Sequence, residues 1–134
     1  MRITADQNLS NRNLALVDAI NAERDARIAA GFAFMGKVIQ ARPFDIENII
    51  GASTGALGAM ATGGVLPGNY RWHGGAEDFV WITDDNTGLT LDAHGMWALG
   101  QAALAHRASH IFAARNLKNM DPIPHDFTDD GYWP

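Results

Sequence analysis

The chain has 134 residues, enough for one domain around one core, and at 47% hydrophobic and 19% charged it reads as globular, not disordered. A formal net charge of −5, with no cluster of Lys and Arg, argues against nucleic acid as a partner, since phosphate binding needs a basic footprint. The absence of Cys excludes disulfides, a thiol nucleophile and Cys-ligated metal. No stretch is apolar enough to suggest a membrane partner, and MRITADQNLS lacks the apolar run of a signal peptide, so a chain made in the cytoplasm is expected.

A first helix is predicted from Asn11 to Ala30, with Ser10 as N-cap. Leu16, Val17, Ile20 and Ile28 give it a thin apolar stripe, and Gly31 suits the left-handed residue that ends a helix. Phe32 to Gln40 reads as a hairpin turning at Met35-Gly36, a weaker turn than Asn-Gly. A second helix is expected after Pro43, with Ile46, Ile49, Ile50, Leu57 and Met60 on its inner face. Its middle, GASTGALGA, holds three glycines, each costing about 0.5–1 kcal/mol in a helix relative to Ala. Close approach of a neighbouring helix over Gly51, Ala52, Gly55, Ala56 and Ala59 would offset that cost.

Gly63-Gly64 and Pro67-Gly68 break the chain. Phe79, Trp81 and Thr83 then alternate with Val80 and Ile82, as in a strand with one buried face. Asp84 to Gly88 makes an acidic turn, Leu89 to Leu91 returns, and Asp92 is placed to cap a third helix from Ala93 to about Lys118. Met96, Leu99, Ala103, His106, His110, Ala113 and Leu117 share one stripe of that helix. The predicted fold is α+β: a small antiparallel sheet of two hairpins packed on two Ala/Gly-rich helices, with a more polar N-terminal helix. The expected organisation is a single domain over residues 1–118 and an extended tail over 119–134. The tail holds three prolines, four aspartates and no Lys or Arg. Phe127, Tyr132 and Trp133 are costly to leave in water, so a tail that locks onto a neighbouring subunit is one expectation; the alternative is a tail that folds back on its own domain or stays mobile. On the first alternative a chain cut after Lys118 stays folded and assembles poorly.

Three segments suggest chemistry. Gly51-Ala52-Ser53-Thr54-Gly55 matches the Gly-x-Ser-x-Gly nucleophile elbow, but the strands, the oxyanion loop and the acid-then-histidine order that such a hydrolase needs are missing. His106 and His110 stand at the i,i+4 spacing of zinc ligands, yet Arg107 follows the first His where a metalloprotease has Glu, and no third ligand is evident. Trp72, Trp81, Trp97 and Trp133 invite comparison with an aromatic platform; core or interface packing accounts for Trp81 and Trp97, whereas Trp72-His73 beside Gly74-Gly75 suits a contact point. The candidate partner-binding residues are therefore Trp72, His73, Phe127, Tyr132 and Trp133, with no catalytic residue, cofactor or metal expected.

INAERDARIAAGFAF, QARPFDIENIIGA, RWHGG with DFVWITDDNTGLTLDA, and GQAALAHRASHIFAARNLK, taken in this order, resemble domain of unknown function 4376 over about Ile20 to Lys118. That family occurs in proteins encoded by bacteriophages and prophages, commonly near tail-fibre and tail-tip genes. The resemblance implies a structural or assembly subunit of a tailed phage virion, at the tail tip, baseplate or fibre attachment. It would act through contacts with other phage tail proteins, as a homo-oligomer or within a larger assembly. The alternatives are a tail-fibre assembly chaperone absent from the virion, and a small hydrolase or metal site using Ser53 or His106/His110.

Overall fold

The structure is a computed structural model that describes residues 4–134. Its elements are α1 (Ala5–Ala29), β1 (Phe32–Phe34), β2 (Lys37–Ile39), α2 (Pro43–Ala61), β3 (Val80–Ile82), β4 (Gly88–Thr90), α3 (Ala93–Lys118) and a 3-10 turn at Asp130–Tyr132. Long helices and two separate two-stranded antiparallel sheets make an α+β fold. The chain divides into two compact units, one of Met1–Ile28 with Arg107–Pro134, the other of Ala29–His106.

In the unit of Ala29–His106, the first hairpin pairs Phe32 with Ile39 and Phe34 with Lys37. Met35 and Gly36 both have positive φ, +50° and +76°, which is the type I′ geometry whose twist matches the flanking strands. Gly31 is required just before it: its φ is +92°, and a Cβ there would lie 2.3 Å from the Ile39 carbonyl oxygen. The second hairpin pairs Val80 with Thr90 and Ile82 with Gly88. Its period-2 pattern holds, with Thr83 buried, Phe79 and Trp81 half-buried, and Val80 and Ile82 exposed. The Asp85 carboxylate accepts hydrogen bonds from the Thr83 hydroxyl at 2.6 Å and the Thr87 backbone N–H at 3.2 Å, which closes the acidic turn.

The core of this unit gathers Ile39, Ala41, Ile46, Ile49, Ala56, Leu91, Ala93, Met96, Leu99 and Ala103. α2 and α3 form its centre and pack closely at Ser53 and Gly100: a Cβ on Gly100 would sit 2.6 Å from Ser53 Cβ. The glycine that permits the approach is thus on α3. The expectation that the α2 glycines do so is corrected, since a Cβ on Gly51 or Gly58 would meet nothing within 4 Å and one on Gly55 would meet only the Trp72 ring at 3.8 Å. Ile50 and Leu57, expected on the inner face, are exposed, because 100° per residue carries them past the stripe of Ile46, Ile49, Ser53 and Ala56. Asp92 caps α3 as expected, accepting from the Gly95 N–H at 2.7 Å, and its second oxygen accepts from the Gly68 N–H at 2.9 Å.

In the other unit, α1 begins earlier than Ser10 implied. Thr4 Oγ1 accepts from the Gln7 N–H at 3.1 Å, and Gln7 Oε1 accepts from the Thr4 N–H at 2.9 Å, a reciprocal capping box. The buried cluster joins Ile20, Ala114, Leu117, Ile123 and Trp133, with Leu16, Val17, Phe127 and Tyr132 packed around it. Residues 119–134 therefore fold back against α1 and the end of α3. The Trp133 indole N–H donates to the Phe127 carbonyl at 2.7 Å, and the Arg27 guanidinium lies 5.2 Å from the Trp133 ring centre. Arg27 also donates to the Thr128 carbonyl and to Asp130, both at 2.8 Å, which ties the turn to α1. Burial of a side chain such as Ile123 contributes about 1.5–3 kcal/mol, the cation–π contact about 0.5–1 kcal/mol at an exposed site.

Candidate interaction site

Ser53 lies in the middle of α2 and is buried against Gly100. A nucleophile elbow needs a strained strand-to-helix turn that lifts the hydroxyl into the open, and a mid-helix position supplies neither turn nor exposure. His106 and His110 share a face of α3, but each ring packs on an aromatic of its own unit. His106 lies 5.3 Å from Phe32, and His110 stacks on Trp133 at 6.3 Å with planes 23° apart. Among the described residues, no group of three or more His, Cys, Asp or Glu is placed to hold a metal ion.

The sequence-predicted partner residues separate into two sets. Trp72 is half-buried, its indole N–H donating to the Leu91 carbonyl at 3.0 Å and its ring 4.7 Å from Phe79. His73 is exposed and stands edge-on to Phe79 at 5.3 Å. Of the Trp72-His73 pair, His73 is the more exposed side chain. Phe127, Tyr132 and Trp133 are brought together around the cluster of their own unit. Trp133 is only 7% exposed, so it is a core residue and not an anchor held out to a neighbour. Composition could not decide this, since an aromatic-ended tail fits either use.

Two other features of the Ala29–His106 unit are not among the partner-binding candidates read from the sequence. The first is the outward side of α2. Phe44 is 71% exposed, Gly51 and Gly58 follow it at seven-residue intervals with open space above them, and Ile50 (56%) and Leu57 lie alongside. A seven-residue interval returns a helix to nearly the same face, so Phe44, Gly51 and Gly58 form a stripe flanked by apolar side chains. The helix-forming signal was legible, but which side faced the core depended on the partner helix.

The second is a groove of about 370 Å³ lined by Gln40, Asp45, Asn48, Val80, Trp81 and Ile82. Gln40 follows β2, Asp45 and Asn48 lie in the first turns of α2, and the rest is β3. A chain of polar contacts runs along its rim: Gln40 donates to Asp84 at 3.1 Å, Arg42 donates to Gln40 at 3.0 Å, and Arg42 Nε donates to Asp45 at 2.7 Å. The hydrogen bond from the Arg42 side chain holds the Asp45 carboxyl below its usual range. The groove is thus lined by the polar side chains of Gln40, Asp45 and Asn48 together with the β3 residues Val80, Trp81 and Ile82.

No curated protein and no solved structure matches this chain. The family model for domain of unknown function DUF4376 matches residues 12–130. With that match covering most of its length, the chain belongs to the DUF4376 family.

Proposed function

We propose that the protein is a structural or assembly subunit of a tailed bacteriophage particle, at the tail tip, baseplate or fibre attachment, and that it works through contacts with other tail proteins. The observation that supports this reading is the outward side of α2. Glycine in a helix costs about 0.5–1 kcal/mol relative to alanine, and a Cβ added at Gly51 or Gly58 would meet no atom of the described residues within 4 Å. Phe44, Ile50 and Leu57 add exposed apolar surface beside them. A smooth stripe flanked by apolar side chains is what a second helix or strand needs in order to lie close. Its cost is offset once another subunit covers it.

The family resemblance supplies the setting, and the α2 surface supplies the means. Mass spectrometry of purified particles from the phage that encodes the chain tests the reading. Detection at stoichiometric level supports a structural subunit. Absence from finished particles contradicts the structural form and leaves the assembly-chaperone form, in which the same surface is covered only transiently.

A further inference from the structure

The groove beside β3 invites a more specific conclusion, which rests on backbone geometry and not on the reading above. In an antiparallel pair, residues alternate between those that exchange hydrogen bonds with the partner strand and those whose N–H and C=O point away from it. The Leu91 N–H donates to the Phe79 carbonyl at 3.0 Å, and the Thr83 N–H donates to the Thr87 carbonyl at 2.9 Å. With Val80 opposite Thr90 and Ile82 opposite Gly88, the odd-numbered residues of β3 face β4. The N–H and C=O groups of Val80 and Ile82 therefore point to the outer edge. The next even residue confirms the parity, since the Asp84 N–H donates outward to the Val38 carbonyl at 2.9 Å. Val80 and Ile82 make no outward backbone hydrogen bond among the described residues, and the groove opens against them.

An open strand edge in a groove recognises one kind of ligand by its chemistry, an extended polypeptide whose own backbone continues the ladder. At 3.2–3.4 Å per residue β3 offers about 10 Å of edge, room for about three residues. Asn48 also lines the groove, with an amide that can bond the outer side of an added strand. Charge narrows the choice further. The rim sets one cation, Arg42, against two carboxylates, Asp45 and Asp84, so it carries net negative charge. We propose that the outer edge of β3 binds an extended peptide bearing basic side chains, as an added β-strand.

The test titrates ¹⁵N-labelled full-length protein with a capped seven-residue peptide alternating lysine and valine, observed by NMR. The expected result is that the Val80 and Ile82 amide resonances shift and their hydrogen exchange slows. The same peptide with every backbone nitrogen methylated keeps its charge and loses its donors, and it is expected to bind at least tenfold more weakly. A protein variant gives a second arm. Ile82→Pro removes an N–H that the β3–β4 ladder does not use, a position where an edge strand tolerates proline. It is expected to keep its circular dichroism and lose binding at least tenfold. Equal binding of the methylated and unmethylated peptides, no change at Val80 and Ile82, or undiminished binding by a folded Ile82→Pro protein would each overturn the proposal.

Discussion

Ser53 on α2 and Gly100 on α3 meet so closely that a single added methyl group has no place: a Cβ on Gly100 would lie 2.6 Å from Ser53 Cβ. The contact joins the two helices that carry the core of the Ala29–His106 unit. Overpacking of this kind costs typically about 1–3 kcal/mol. Gly100→Ala is therefore expected to destabilise the protein although alanine is the better helix former. Gly51→Ala and Gly58→Ala, with open space above them, are expected to stabilise it by about 0.5–1 kcal/mol each. Urea denaturation of the three variants checks the contrast, and Ser53→Gly in the Gly100→Ala background is expected to recover much of the loss.

Trp133 closes the cluster of the unit that holds α1. Trp→Ala in a core costs about 3–5 kcal/mol, and Trp133→Ala is expected to lower the unfolding midpoint accordingly. Truncation after Lys118 removes Ile123 as well, leaving Ile20 and Leu117 uncovered. Such a chain is expected to lose part of its helical circular dichroism as α1 unravels, instead of remaining folded as an independent tail would allow.

Met35 occupies a left-handed position in the first turn, at φ +50°, with its side chain exposed. A non-glycine residue there carries a cost of roughly 1–2 kcal/mol, which Asn relieves in part. Met35→Asn is expected to raise stability by about 0.5–1 kcal/mol, read as a higher thermal midpoint with unchanged circular dichroism.

Three carboxylates give stability a defined pH dependence. Asp92 is held below its usual range by the Gly68 and Gly95 backbone N–H groups, Asp45 by the Arg42 side chain, and Asp85 chiefly by the Thr83 and Thr87 hydroxyls and Lys37. A folded-state pKa below the unfolded value of about 3.9 adds stability that is present above that pH and disappears as pH falls through the folded value. The urea midpoint is thus expected to hold between pH 7 and about 5 and to drop below about 4. Asp92→Asn keeps an oxygen for the helix cap but no charge, and is expected to flatten part of that drop.

Local signals carried much of the fold. The Phe32 to Gln40 hairpin, the alternation from Phe79 to Thr83 and the Asp92 cap follow from neighbours in sequence, so they were legible there. The start of α1 was missed because Ser10 looked sufficient as a cap, while the Thr4 and Gln7 pair three residues apart carries the reciprocal bonds. The role of the α2 glycines and the fate of Trp133 were not legible, because both depend on which distant helix arrives. The groove brings Gln40, Asp45 and Asn48 to Val80 and Ile82, more than thirty residues away in sequence, so only the folded chain shows it.

The most direct test of the proposed role exploits the open space above α2. Replacing Gly51 and Gly58 together by Leu builds on two positions where an added Cβ meets no atom within 4 Å. It fills the stripe that a neighbouring subunit would need. Incorporation of the Gly51→Leu/Gly58→Leu protein into phage particles is then measured by mass spectrometry, with circular dichroism as the control for folding. A folded variant that fails to enter particles is the predicted result; a folded variant incorporated as well as the unaltered protein would contradict the account.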